Sequence, residues 1–438
     1  MILDILRKLV PSFLVSWYHF LLALIGAFLY KFPSRKMIMI GITGTSGKST
    51  VVDFTSRILE EAGHKVASLS SIKFKIGDKE WENALKMTMP GRLKLQKFLK
   101  QAKDAGCQCC VLEVTSEGIL QYRHKFIDFD IVCLTNLTPE HIERHGSFEN
   151  YKRAKSKLFQ GLESKKKFLN GKEIQKISVV NLDDKNSEYF LQFPADKKYG
   201  FGFGTGVEMS DIEQIRASDI QLDFSGTKFL AWGTQFNTNL LGEFNVYNVL
   251  SAVCIGISQE IPVEICKKAI EKVKGVEGRI EVVTKEPFKA VADYAHTPAA
   301  LQCIYEFLST AKGKKSKIIC VLGSCGGGRD KWKRPELGKI AAKFCDEIIV
   351  TNEDPYDEDP IKIIEQVARG TSGKAKKILD RRVAIKEALN IAKPDDIVII
   401  TGKGSEPWMC VAHGKKIPWD DRQVVREEFK NLYNDEKV

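Results

Sequence analysis

Apolar and polar positions follow two periods along the chain, and the switches between them predict its elements. Met37 to Ile42 is a short apolar run that reads as a buried strand and enters a glycine-rich loop. From Ser49 to Ala62 the apolar residues Val52, Phe54, Ile58 and Leu59 fall at helical spacing. Cys109 to Val114 and Phe129 to Thr135 repeat the short apolar run, each ending at a loop. This alternation predicts a doubly wound, mostly parallel sheet with helices on both faces. Residues 171 to 240 change character: runs such as Ile220-Gln221-Leu222-Asp223-Phe224 alternate between glycine turns, which predicts antiparallel strands at the edge of the same domain. A further helix pattern spans Asn245 to Gly256.

After Gly278-Arg279 the strand and helix rhythm restarts, with Ala290 to Asp293, Lys317 to Leu322, Glu347 to Thr351 and Ile397 to Thr401 as strands. The fold class expected is therefore α/β. A central phosphate-loop domain with a mostly parallel sheet covers residues 38–282, and a Rossmann-like α/β domain covers 283–438. Ligands sit at the carboxyl ends of strands in open sheets, so the polar loops there are candidate sites.

The first 37 residues differ in kind. Ser12 to Tyr30 is an uncharged run, SFLVSWYHFLLALIGAFLY, bracketed by Arg7 and Lys8 before it and by Lys31, Arg35 and Lys36 after it. As a helix it would span roughly 28 Å, close to the thickness of a bilayer core. Three readings compete: a membrane anchor, a helix lying in the interface, and a helix buried against the following domain. Ser12, Ser16 and His19 weaken the first. No small-residue cleavage pattern follows, which argues against a removed signal peptide. Membrane contact of some kind through residues 12–30 is the expectation.

Composition narrows the partners. Hydrophobic residues at 43% and charged residues at 28% are those of a folded globular chain. The net charge of +11 suits an anionic ligand. Its lysines form only short clusters, such as Lys165-Lys166-Lys167 and Lys314-Lys315, with no basic stripe interleaved with aromatics, so no nucleic acid is expected. Cys107, Cys109 and Cys110 lack the paired spacing of a zinc site, and reduced, buried thiols in the cytoplasm are the plainer reading.

The chemistry starts at Gly44-Thr45-Ser46-Gly47-Lys48-Ser49. Small residues let backbone N–H groups face phosphate oxygens, and the following helix adds its positive end. Lys48 would neutralise the β- and γ-phosphates, and the Ser49 hydroxyl would reach Mg²⁺. Ile42 stands where the standard spacing has glycine, so this is the shorter G-x-x-G-K-[ST] form. Three residues would complete a metal site: Glu113, His141 in TNLTPEHIERHG and Lys155 in YKRAKSKLF. A carboxylate suits Mg²⁺, a histidine is an uncommon ligand for it, and a lysine ammonium cannot bind it. Each also has a plainer reading, as a salt-bridged acid, a surface histidine and a solvated lysine.

The motifs TGTSGKST, TNLTPEHIERHGSFENYKRAKSKLF, GEFNVYN, GRIEVV, DYAHTP, GGGRDKWKRPELG, DRRVAI and GKGSE occur in this order between residues 38 and 425. The set resembles the Mur ligase family, most closely its MurE branch, which adds the third residue of the peptidoglycan stem peptide. DYAHTP and GGGRDK set it apart from folylpolyglutamate synthetases, which share the loop. The resemblance implies ATP and Mg²⁺ as cofactors, with UDP-MurNAc-L-Ala-D-Glu and an amino acid as substrates joined through an acyl-phosphate.

It also implies roles for residues. Gly44, Thr45, Ser46, Gly47, Lys48, Ser49 and Thr50 would hold the phosphates. Ser49, Glu113, His141 and Lys155 would hold metal, Lys155 as the lysine that the family carbamylates, and Lys48, His141 and Lys155 would carry catalysis. Asn136, Asn245, Asn248, Arg279, Asp293, Tyr294 and His296 would surround the nucleotide. Thr88, Thr115 and Arg123 would hold the acceptor's peptide end, and Arg329, Asp354, Gly402 and Glu406 the incoming amino acid.

Two departures from the family pattern stand out. The D-N-P-R loop of diaminopimelate-adding enzymes is Glu353-Asp354-Pro355-Tyr356 here, and tyrosine cannot supply a bidentate cationic fork. The acidic pair could receive the distal ammonium of lysine or ornithine instead. Where typical MurE proteins carry a uridine-binding domain ahead of the loop, this sequence has the apolar segment. The acceptor is therefore either the soluble nucleotide or a lipid-linked one reached through that segment, at the inner face of the membrane. A non-catalytic nucleotide-binding scaffold is the reading from another class. The joint presence of Lys48, Glu113, His141, Lys155 and Asp293 argues against it.

Overall fold

The strand Ile38–Thr43, apolar on both faces, organises the first sheet: it pairs in parallel with Cys109–Glu113 on one side and with Ile131–Leu134 on the other. The structure is a computed structural model that describes residues 11–83, 87–163, 166–204 and 210–434. Arg7, Lys8 and Lys165, part of the expected basic flank and cluster, lie outside the described residues.

Eleven strands form this sheet, in the order 234–238, 226–231, 213–223, 197–203, 177–181, 131–134, 38–43, 109–113, 66–69, 73–76 and 79–82. The expectation of antiparallel strands across residues 171 to 240 holds at its start, where Lys172–Ile174 pairs with Lys167–Leu169 in a small separate sheet, and in its second half. Ile177–Asn181 and Lys197–Phe203 continue the parallel core, because Ile177–Asn181 is buried throughout and must be covered on both faces. Antiparallel pairing begins where Glu213–Asp223 meets Gly226–Ala231 and continues to Thr234–Thr238, whose burial alternates residue by residue. A second antiparallel edge, Lys73–Ile76 with Lys79–Glu82, had no clear sequence signal.

The helices Lys48–Glu61 and Glu243–Ser258 pack on one face of the sheet through Val52, Phe54, Ile58, Val249 and Val253. Arg92–Asp104 and Phe148–Gln160 cover the other through Leu95, Leu99, Leu158 and Phe159.

The second sheet has six strands, in the order 281–284, 289–293, 397–401, 318–322, 347–350 and 375–377, all parallel except the first. Tyr305, Leu308 and Leu337 fill one side, and Ile385, Leu389 and Val425 the other. The boundary expected near residue 283 thus falls inside the strand Glu281–Thr284.

The apolar segment is the helix Ser12–Leu29. No helix of the described residues, Ser12–Leu29 included, is long and apolar enough to cross a membrane, which corrects the spanning reading of that helix. The physical reason is visible in its packing. The helix lies against Arg92–Asp104, with Ala23 and Ala27 buried, and a Cβ at Gly26 would already touch Gln96 and Leu93 at 3.4 Å. Phe20 packs edge-on against Tyr122 at 5.8 Å and against Phe126 at 5.4 Å, and the Ser16 hydroxyl donates to the Tyr122 hydroxyl at 3.0 Å. The third reading, a helix docked on the following domain, therefore describes one side of it. The other side is open: Phe13, Trp17 and Phe28 are 61%, 63% and 65% exposed.

Beside this helix, His124 is buried with no hydrogen-bond partner for either ring nitrogen. Burial, then Lys125 and Lys157, holds its imidazole down at about 3. An unfolded histidine takes its proton near pH 6.5, so this residue's contribution to stability is complete above that pH and is lost as pH falls towards 3. Between pH 7 and 5.5 the unfolding free energy is expected to drop by about 1 kcal/mol on this account. Urea titrations of the wild type and of His124→Leu at both pH values check it, the variant showing the smaller drop.

Candidate active site

The glycine-rich loop joins Ile38–Thr43 to the helix Lys48–Glu61, as its sequence predicts. Its glycines are required by close approach. A Cβ on Gly44, at φ +149°, would lie 2.0 Å from Thr135 Oγ1, and one on Gly47, at φ +81°, 2.3 Å from Asn248 Oδ1. Gly47→Ala is accordingly expected to weaken binding of an ATP analogue by at least about tenfold, read by calorimetry, because the new methyl must displace Asn248.

Asn136 braces the loop with both ends of its amide, accepting from the Ser46 N–H at 2.9 Å and donating to the Ser46 carbonyl at 3.2 Å, while its own carbonyl accepts from the Thr45 N–H. Asn248 donates to Asn245 Oδ1 at 3.0 Å, and Asn245 donates to the Leu241 carbonyl. Thr50 is buried in the helix's first turn. Two distant segments, residues 135–136 and 241–248, thus converge on the phosphate loop.

Glu113, at the end of its strand, accepts from the Ser49 hydroxyl at 2.7 Å and from the Ser71 N–H at 2.8 Å. Lys48 lies 3.9 Å from the same carboxylate and donates to the Thr45 carbonyl. Lys155 donates to the Gly44 carbonyl at 2.7 Å and sits over the Tyr151 ring. Burial first, then Lys48, pushes the Lys155 ammonium well below the usual lysine range, with Glu113 opposing. Lys48 is lowered as well, by burial and, more weakly, by Arg279 against the pull of Glu113. The loop N–H groups, the helix N-terminus and Lys48 beside one carboxylate suit a polyphosphate, while burial favours the neutral Lys155 amine.

His141 stands at φ +56° ahead of the short helix Ile142–His145. Burial, then Arg329, Lys155, Lys48 and Lys333, holds its imidazole at about 3, so it is neutral and can act as a ligand. Among the described residues no group of three or more His, Cys, Asp or Glu forms a metal cage. Glu113, Ser49 and His141 instead offer one carboxylate, one hydroxyl and one imidazole. That set fits a Mg²⁺ completed by phosphate oxygens.

The second domain reaches this site through polar contacts. Asp330 accepts from the Ile142 and Glu143 N–H groups at 3.1 and 3.0 Å, and buried Lys333 pairs with Glu140 at 3.0 Å. Arg279 stacks over the Tyr294 ring at 4.3 Å. Asp293 accepts from the N–H groups of Ile280 and Ala295, and His296 contacts the Tyr294 carbonyl at 3.0 Å. Arg279, Asp293, Tyr294 and His296 are therefore one cluster at the domain junction.

Thr115 Oγ1 caps the helix Ser116–Leu120 by accepting from the Gly118 N–H. Arg123 donates to the Met89 carbonyl, next to Thr88, so the three residues expected at the acceptor's peptide end share one wall.

In the second domain Lys403 pairs with Asp354 at 2.9 Å and with Glu406, and the Tyr294 hydroxyl donates to Glu406 at 3.2 Å. Gly402 abuts Glu353, whose carboxylate accepts from the Cys325 thiol. Burial raises the Glu353 carboxyl. The acidic pair expected to receive a distal ammonium is thus engaged within the protein: Asp354 by Lys403, and Glu353 behind Gly402 and Cys325. Among the described residues Arg329 has no carboxylate at ion-pair distance, and its guanidinium donates to the Tyr356 side chain.

Sequence reasoning did not single out Ser71, Tyr151, Glu140, Lys333 or Lys403. Tyr151 was legible, four residues before Lys155 on one helix face. Ser71 and Lys403 reach their partners only through tertiary pairing.

Comparison with known proteins matches this geometry. Residues 42–256 match the Mur ligase middle domain, and residues 278–404 match the Mur ligase, glutamate ligase domain. The UDP-N-acetylmuramyl-tripeptide synthetase of Roseiflexus sp. (strain RS-1) is 34% identical over 441 residues, covering 97% of this chain and 85% of the relative. The UDP-N-acetylmuramoyl-L-alanyl-D-glutamate–2,6-diaminopimelate ligase of Bacillus cereus is 35% identical over 436 residues, covering 98% and 85%. Among solved structures, a UDP-N-acetylmuramoyl-L-alanyl-D-glutamate–2,6-diaminopimelate ligase superposes with a TM-score of 0.59 at 26% identity, covering 91% of this chain and 79% of that one. The folylpolyglutamate synthase of Mycobacterium tuberculosis, at 15% identity and a TM-score of 0.67 over 87% of this chain and 92% of that one, shares the fold. With its phosphate loop and both domain matches in one chain, the protein belongs to the Mur ligase family of ATP-dependent ligases.

Proposed function

We propose that the chain joins an amino acid to UDP-MurNAc-L-Ala-D-Glu in the cytoplasm, forming the third peptide link of a peptidoglycan precursor. The observation that carries this reading is the phosphate loop with Lys48 3.9 Å from Glu113, beside buried Lys155, whose amine donates to the Gly44 carbonyl.

The acceptor carboxylate, held by Thr88, Thr115 and Arg123, attacks the γ-phosphorus of ATP, and ADP leaves. Lys48 offsets the charge of the two anions brought together. The free amine of the incoming amino acid, whose carboxylate Arg329 receives, then attacks the acyl carbon. Phosphate leaves and the amide remains. Asp354, Gly402 and Glu406 shape that amino-acid subsite, with Lys403 tying its acids in place. Burial of the Lys155 amine favours its neutral form, the form that can take up CO₂ as a carbamate. So modified, Lys155 would hold Mg²⁺ with Ser49, Glu113 and His141, and the ion when bound supplies positive charge to the phosphate oxygens. The domain boundary is best placed ahead of Glu281, where the second sheet opens.

The test is phosphate release from ATP with UDP-MurNAc-L-Ala-D-Glu against meso-diaminopimelate, lysine, ornithine and D-glutamate. One diamino acid is expected to stimulate release strongly, and no turnover with any of the four overturns the reading. The exposed aromatic side of the helix Ser12–Leu29 favours a second reading, with a lipid-linked acceptor at a membrane surface. Co-sedimentation with anionic vesicles that vanishes in Trp17→Glu would support it, and no sedimentation of the wild type would remove it.

A further inference from the structure

Two short segments from different domains satisfy each other's backbone, and His141 lies within one of them. The carboxylate of Asp330 accepts from two consecutive N–H groups, that of Ile142 at 3.1 Å through Oδ2 and that of Glu143 at 3.0 Å through Oδ1. Glu143 answers in the opposite direction, its Oε1 accepting from the Lys331 N–H at 2.8 Å. On the other side of His141, Lys333 donates to Glu140 at 3.0 Å, and both of those side chains are at most 6% exposed. The partners are 187 to 193 positions apart in the chain.

The pattern has a physical reason. Helix Ile142–His145 has only four residues, and its first N–H groups find no partner inside so short a turn. The residue at the N-cap position ordinarily supplies that partner from its own side chain. Here the residue is His141, and its ring makes no capping bond. The cap comes from the second domain instead, and the imidazole is kept for another task. The backbone of His141 is also left-handed, at φ +56°, a conformation that a residue with a Cβ holds only where its surroundings fix it. Those surroundings are Asp330 on one side and Lys333 on the other.

We infer that Asp330 and Lys333 are positioning residues for His141: the second domain sets the imidazole beside the phosphate loop by capping the helix after it and anchoring the residue before it. The inference rests on the ligase reading above in taking His141 as a ligand of the Mg²⁺ that accompanies ATP. Arg329 directly precedes Asp330, so the stretch that meets the incoming amino acid in that reading also sets the imidazole. An asparagine at 330 would keep one acceptor for the two N–H groups, and an alanine none.

The experiment titrates a non-hydrolysable ATP analogue by calorimetry, once with Mg²⁺ and once with EDTA. Proteins are the wild type, Asp330→Ala, Asp330→Asn, Lys333→Met, His141→Ala and the double variant Asp330→Ala/His141→Ala. The wild type is expected to bind more tightly with Mg²⁺. Asp330→Ala is expected to lose about tenfold in affinity with Mg²⁺ and nothing in EDTA, with Asp330→Asn in between. The double variant is expected to bind no more weakly than His141→Ala alone, because Asp330 acts through that residue. Equal losses with and without Mg²⁺ would mean that Asp330 only holds the domains together, and unchanged binding would mean that it sets nothing. Either result overturns the inference. If Asp330→Ala does not fold, as a melting curve shows, Lys333→Met carries the same comparison. A wild type whose binding ignores Mg²⁺ overturns the metal site of the ligase reading instead.

Discussion

Lys48→Ala is expected to lower kcat/KM for ATP-dependent amide formation by about a thousandfold or more, with no loss of thermal stability. Both halves follow from the surroundings of Nζ. It sits in a desolvated loop, 3.9 Å from Glu113, where a charge acts on phosphate oxygens with little screening. Burial also makes the ammonium costly in the folded protein, as its lowered pKa records. Removing it therefore relieves the fold while it disables the chemistry. A residue that merely supported structure would lose stability and activity together. Phosphate release at saturating acceptor, read beside a melting curve, separates the two. Activity within tenfold of wild type would contradict the assigned role.

Local chemistry explains why this part of the site was readable. The phosphate loop is one contiguous segment whose small residues, lysine and flanking strand and helix all lie within about two dozen positions. Glu113 and the long strands of the second sheet follow from apolar runs ending at polar residues. The parallel strands Ile177–Asn181 and Lys197–Phe203 did not, because the glycine turns around them suggest hairpins while their burial is decided by helices far off in sequence.

The N-terminal helix misled for a related reason. A helix apolar on all sides reads as a membrane span, and only the packing of Ala23, Gly26 and Ala27 on Arg92–Asp104 reveals that one side belongs to the domain. Lys403 and Asp354 lie far apart in the chain, and their pairing depends on the second sheet bringing two loop ends together. The Glu353-Asp354 pair, read as open to a ligand ammonium, has Asp354 paired with Lys403 in the structure.

Arg381→Ala is expected to destabilise the second domain by about 3–5 kcal/mol and to raise KM for the amino acid while leaving KM for ATP nearly unchanged. DRRVAI places Arg381 at the start of the helix Arg381–Ile391, where its guanidinium makes two bonds to Asp421, Nε to Oδ1 at 2.8 Å and Nη2 to Oδ2 at 2.7 Å. Both side chains are at most 1% exposed. The same guanidinium donates to the Thr401 carbonyl at 2.8 Å and to the Asn352 carbonyl at 3.3 Å, and the Trp419 indole adds a third donor to Asp421. Those two carbonyls directly precede Gly402 and Glu353-Asp354, so Arg381 fixes the spacing of the loops that build the amino-acid subsite. Truncating it strands the Asp421 carboxylate in the interior and frees both loop ends at once. If the cost is that of an uncompensated charge, Arg381→Met combined with Asp421→Leu recovers much of the stability in urea titrations. The raised amino-acid KM persists in the double variant, because neither new side chain can hold the Thr401 and Asn352 carbonyls. A single variant costing less than about 1 kcal/mol would instead make the pair a solvent-like contact, with no part in setting the subsite.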